Sequence, residues 1–275
     1  MKIRKLLTLT LVGALACTIV GCGNKNETST AKASKEDNKI VIGVSPTPHE
    51  AIINNLQPKF KEAGLDVQVK VFNDYVQPNI ALNDGDLDAN YFQHQPYLDE
   101  FNKDHNYHIV SIGKVHIEPL GLYSTKIKNL NELKDGDEVL IPNDPTNGAR
   151  ALILLEDNGL IKLKNKGDIK STEKDIVENV KNLKITAVDA PIIPTAYKDV
   201  AAGIINSNYA IGAGIKPSEA IVREDGASNP YANIIAVNEK DKDKEKFKKF
   251  IQIIQSEDTK NFIEKEFKGE ILPAF

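Results

Sequence analysis

The chain is 275 residues long, 41% hydrophobic and 27% charged, which supplies a sizeable core and excludes disorder for the bulk of it. Thirty-nine acidic against 35 basic side chains give a formal charge of -4, so no basic field exists to hold nucleic acid. A single long apolar run excludes a polytopic membrane protein, and two cysteines without Cys-x-x-Cys spacing exclude a disulfide framework or a cysteine zinc site.

That run is N-terminal. Lys2, Arg4 and Lys5 precede an uncharged, mostly apolar stretch over residues 6–20. A charged head and a short apolar region are the order of a secretory signal, and the run is shorter than the roughly 20 residues of a membrane span. It closes on Ile19-Val20-Gly21-Cys22, which resembles a bacterial lipobox; the plainer reading is an ordinary signal or short anchor with an incidental cysteine. On the lipobox reading residues 1–21 are removed and the thiol of Cys22 is acylated. Two or more acyl chains then anchor stably where one is marginal. Residues 23–38 hold no Val, Ile, Leu or aromatic side chain and read as a flexible tether.

From Lys39 onward strand and helix signals alternate. Residues 40–44 form a compact buried-strand run, and Val67, Val69 and Val71 alternate in a second strand over 66–72. Between them Ile52, Ile53, Leu56 and Phe60 recur at helical spacing, with Pro58 marking a kink and Gly64 the helix end. Further strands are expected at 109–112, 138–141, 183–188, 203–205 and 233–237, and helices near 97–105, 147–158, 173–180 and 195–200. Phe247, Phe250, Ile251 and Ile254 mark a last amphipathic helix. The pattern is α/β with largely parallel sheets. Two domains are expected, with crossings near Glu118 to Ser124 and Asn229 to Tyr231: residues 39–120 plus 232–275 in one lobe and 121–231 in the other.

Three strings carry candidate site residues. Asn143-Asp144-Pro145-Thr146-Asn147-Gly148-Ala149-Arg150 joins a strand to a helix, where free N–H groups gather and where Arg150 can pair with a carboxylate. A plain helix cap followed by an exposed arginine is the alternative. Tyr91, Phe92 and His94 cluster aromatic faces near a strand end, either as a slot for an apolar or sulfur-containing group or as ordinary core. Asn206 follows a buried strand, where it can bond a ligand's polar group or simply shape a turn. Five histidines include a His105-x-x-His108 pair, a weak zinc motif. No nucleophile elbow, phosphate-binding loop or His-Glu-x-x-His is present, so nothing indicates an enzyme.

Taken in order, the lipobox, DYVQPNIAL (74–82), DLDANYFQHQPYL (86–98), EPLGLYS (118–124), NDPTNGAR (143–150) and INSNYA (205–210) resemble the NlpA lipoprotein family. The resemblance runs from the signal to the C-terminus. It implies a two-lobed type II periplasmic-binding-protein fold with a ligand cleft between the lobes, no catalysis and no cofactor. It also implies a lipid-anchored protein on the extracytoplasmic face of the cell membrane, delivering methionine or a close relative to an ABC permease and its ATPase. By the family pattern, Arg150 pairs the ligand carboxylate, Asn206 bonds its main chain and Asn147 assists. Tyr91, Phe92 and His94 surround the side chain, with Tyr75 and Glu118 as second contacts. The competing expectation is a lipoprotein that binds zinc or another solute.

Overall fold

The computed structural model describes residues 38–226 and 230–275. The signal, Cys22 and all of the tether except Asn38 lie outside the described residues. Strand β1 (Lys39–Val44) buries Ile40, Ile42 and Val44 completely. Helices α1 (Ala51–Asn55) and α2 (Gln57–Glu62) cover it, and the break at Leu56 falls just ahead of Pro58, whose ring displaces the carbonyl a continuous helix needs. Gly64, with φ of 77°, turns the chain into β2 (Asp66–Val71). Asp74 Oδ1 accepts from the N–H groups of Val76 and Gln77 and so starts α3 (Gln77–Asp84). Strand β3 (Ala89–His94), buried along its whole length, runs directly into α4 (Gln95–His105), and β4 (Ile109–Ile117) follows.

The second half begins with β5 (Gly121–Tyr123) and β6 (Glu138–Pro142), then α5 (Pro145–Asp157). Asp144 caps α5 by accepting from the Asn147 N–H, and Pro145 occupies its first position. Strands β7 (Ile161–Leu163) and β8 (Ile176–Asn179) form a separate antiparallel pair, and β9 (Lys184–Val188) follows. Then come α6 (Ile193–Ala196), β10 (Ala202–Ile205), α7 (Ser207–Gly212) and β11 (Val222–Arg223). Strand β12 (Ala232–Asn238), helices α8 (Glu245–Ile254) and α9 (Glu257–Phe267), and β13 (Leu272–Pro273) complete the described chain.

Two sheets organise these elements. One has the order β13-β4-β12-β3-β1-β2 and the other β11-β5-β10-β6-β9. The chain passes from the first to the second between Ile117 and Gly121 and returns between Arg223 and Ala232. Each sheet has its own core. Phe60, Phe247, Phe250, Ile263 and Phe267 pack on β1 in one, while Leu152, Leu154 and Leu155 of α5 pack with Val139, Ile141 and Ile204 in the other. The C-terminal helices therefore serve the first sheet.

Several expectations need correction. Antiparallel pairings outnumber parallel ones, because β12 returns antiparallel between β3 and β4 and β5 runs antiparallel to β10 and β11. The helix expected over 173–180 lasts one turn, Glu173–Asp175, and then becomes β8. Its start signal is real, since Thr172 and Asp175 form a capping box, but pairing with β7 suits the β-branched Ile176 and Val177 better. The helix expected over 195–200 ends at Ala196, and the strand expected at 109–112 continues to Ile117. Tyr91, Phe92 and His94 lie within β3 itself, and Arg150 is in the second turn of α5 rather than the first.

Candidate functional site

A narrow cleft lined by residues from elements of both sheets lies between them. Its polar end is built outward from Asp144. This carboxylate only accepts, so it orients the Asn147 amide: Nδ2 donates to both Asp144 oxygens at 3.0 Å and Oδ1 is turned away. Asn147 Oδ1 then accepts from Asn206 Nδ2 at 2.9 Å and from His94 Nε2 at 3.3 Å. His94 Nδ1 accepts from the Tyr97 N–H, which assigns the proton to Nε2. Burial, reinforced by the Arg150 charge, pushes the His94 pKa down to about 3, so the ring is a neutral donor. The chain of orientations leaves Asn206 Oδ1 buried without a partner. An unsatisfied buried acceptor is costly, and here it borders the cleft.

Arg150 Nε and Nη2 each donate to Glu224 at 2.6 Å, Nη2 also donates to the Glu118 carbonyl at 2.7 Å, and the guanidinium lies 4.4 Å from the Tyr231 ring centre. The two-toothed carboxylate pairing expected of Arg150 is thus already made, within the protein. Glu118 is a second buried ionisable group. Its Oε1 faces His116 Nε2 at 2.7 Å and His49 Nε2 at 3.3 Å, and its Oε2 accepts from the Asn208 N–H at 2.8 Å. Burial raises the Glu118 pKa and pushes those of His49 and His116 down to about 4 and about 3. Tyr75, Phe92 and Tyr97 also line the cleft, with the Tyr75 and Phe92 ring centres 6.0 Å apart. Tyr75 reaches from the first half to the second, donating to Asn208 Oδ1 at 2.6 Å.

A family model described as NlpA lipoprotein matches residues 40–275. The chain belongs to the NlpA lipoprotein family. It is 42% identical to the D-methionine-binding lipoprotein MetQ of Escherichia coli K12 and 44% identical to that of Salmonella typhi, in both cases over 94% of this chain and 93% of the relative. Among solved structures it resembles a nutrient binding protein from Burkholderia cenocepacia bound to methionine. The TM-score is 0.83, at 46% identity, covering 86% of this chain and all of that one. The two sheets with their separate cores are the two halves of a two-lobed periplasmic-binding fold.

Within this NlpA lipoprotein the cleft brings together Tyr75, Phe92, His94, Glu118, Asn147, Arg150 and Asn206. Tyr91 is not among them. Alternation along β3 sends its ring to the first core, where its hydroxyl bonds His116 Nδ1. Sequence reasoning missed Tyr97, Asn208, Asn233 and Glu224. Tyr97 and Asn208 sit inside quoted strings, but Glu224 lies 74 residues from Arg150 with no local signal. Among the described residues, His49, His116 and Glu118 have donor atoms within 4.8 Å of one another, a spacing a metal ion can use. Those atoms are engaged in the hydrogen bonds above and with Asn233. His105 is elsewhere, stacked on Phe101 and donating to its carbonyl.

Proposed function

We propose that this protein is a substrate-binding lipoprotein that captures methionine, or a methionine-containing compound, and delivers it to the permease and ATPase of an ABC importer. It acts as a binder and not as an enzyme, anchored by acylated Cys22 on the outer face of the cell membrane. Residues 39–120 with 232–275 would form one lobe and 121–231 the other.

The observation that carries the reading is the unpartnered Asn206 Oδ1 in a cleft that Arg150 and the rings of Tyr75, Phe92 and Tyr97 also line. An amino acid's ammonium supplies the missing donor. Its carboxylate faces Arg150 and the asparagines, and a thioether tail suits the rings of Phe92, Tyr75 and Tyr97, since sulfur favours aromatic edges. MetQ relatives named for D-methionine and a neighbour solved with methionine support the same ligand class.

The test is a thermal-melt panel of amino acids and metal ions on the full chain, purified in detergent and stripped of ligand. At about 100 times the dissociation constant a ligand stabilises by roughly 2.7 kcal/mol. A methionine compound should give the largest shift, and Asn206→Ala should abolish it. A shift with zinc and none with any methionine compound would overturn the assignment in favour of a metal at His49, His116 and Glu118.

A further inference from the structure

We propose that Glu224 is a positioning residue that makes the cleft prefer a zwitterion to a plain carboxylate, an inference that rests on reading the cleft as an amino-acid site. Glu224 takes the Nε and Nη2 edge of Arg150, the fork that a ligand carboxylate would otherwise use, through two 2.6 Å bonds. The Glu118 carbonyl takes the remaining Nη2 hydrogen at 2.7 Å. Nη1 alone among the guanidinium nitrogens makes no hydrogen bond to a described residue, and Arg150 borders the cleft. The ligand is thereby offered one nitrogen in a set orientation instead of a two-toothed clamp.

The position of Glu224 is itself held. Its Oε2 accepts from the Leu120 N–H at 2.9 Å, and its own N–H donates to the Leu120 carbonyl at 2.9 Å. These bonds join the two segments that cross between the sheets, so Arg150 is clamped at the point where both pass. The electrostatic consequence follows from burial. The Arg150 and Glu224 side chains are only 4% and 13% exposed, so the positive charge is largely cancelled before any ligand arrives. Glu118 and Asp144 add two more carboxyl groups, both with pKa values raised by burial, while the neighbouring histidines are neutral and supply no positive charge. A ligand bearing only a carboxylate therefore meets an arginine whose charge Glu224 already offsets. A zwitterion brings its own ammonium into this carboxyl-rich site, and removing the Glu224 charge should weaken that advantage.

The experiment measures dissociation constants of the full chain in detergent for methionine (the tighter enantiomer) and for 4-(methylthio)butanoate, the same molecule without its amino group. In the unsubstituted protein methionine should bind at least about 100-fold tighter; parity within about threefold would overturn the inference without any variant. Glu224→Gln should narrow the ratio by about fivefold or more, because the lost charge favoured only the ammonium. Glu224→Asp, which keeps the charge, should hold the ratio within about twofold while lowering both affinities. Equal losses for both ligands in Glu224→Gln would reduce Glu224 to a structural role and overturn the proposal. Failure of the unsubstituted chain to bind methionine at all would overturn the amino-acid reading beneath it.

Discussion

Arg150 and Asn206 border the same cleft, yet their loss should look different. Asn206→Ala removes an acceptor that the protein does not satisfy together with one donor bond to Asn147 Oδ1, which His94 still supplies, so the unliganded protein should lose no more than about 1 kcal/mol while ligand binding fails. Arg150→Ala should cost about 2–5 kcal/mol of binding, at least roughly 30-fold in affinity. It also removes the cation paired with the largely buried Glu224 carboxylate, so the unliganded protein should lose about 1–3 kcal/mol as well. Denaturant titrations of both variants check the contrast; equal stabilities would mean that the Arg150–Glu224 pair contributes nothing. The histidines set the acid limit. His49, His94 and His116 have folded values below their unfolded 6.5, so below about pH 6.5 the unfolded chain binds more protons and stability falls. Each contributes a slope of up to about 1.4 kcal/mol per pH unit, continuing to about pH 4 for His49 and about pH 3 for the others. Glu118, raised by burial, works in the opposite direction between 4.5 and its folded value and offsets part of the loss. Unfolding midpoints from pH 7 to 4 should therefore decline, and less steeply in His94→Gln.

At the scale of elements, α5 joins local folding to the site. Asp144 caps the helix and also anchors the Asn147 amide, so Asp144→Ala should cost about 1 kcal/mol of stability and weaken ligand binding in addition. A helix that loses stability while affinity is untouched would show that Asn147 orients without its anchor. Strand β3 does comparable work by alternation: Phe92 and His94 face the cleft while Tyr91 and its His116 bond face the first core. Periodicity identified β1, β6 and β12 as compact apolar runs, which are covered on both faces, β2 by its alternation and α8 by its apolar stripe. The same reasoning misread β8, whose local start signal is helical and whose strand state depends on β7. Short strands such as β11 and β13, two residues each, carry too little pattern to be read without their partners.

For the whole molecule, the contacts across the cleft predict closure. Tyr75 bonds Asn208, His94 meets Asn147, and Tyr209 donates to the Asn73 carbonyl at 3.3 Å, each joining the two halves. Solution scattering on ligand-stripped protein should show a smaller radius of gyration once methionine is added. Tyr75→Phe, which loses the bond to Asn208, should reduce affinity while leaving the unliganded melt in place. The anchor is tested separately: Cys22→Ala should abolish fatty-acid labelling, and continued labelling would contradict the lipobox reading. The family, the α/β alternation and most of the residues named for the cleft were legible along the chain, because each is a local string whose spacing suits its chemistry. Tertiary structure alone decided which face of β3 lines the cleft, that Arg150 is already held by Glu224, and that Asn206 keeps an unspent acceptor. Those facts depend on side chains dozens of residues apart meeting where two crossing segments pass, and no local pattern encodes such a meeting.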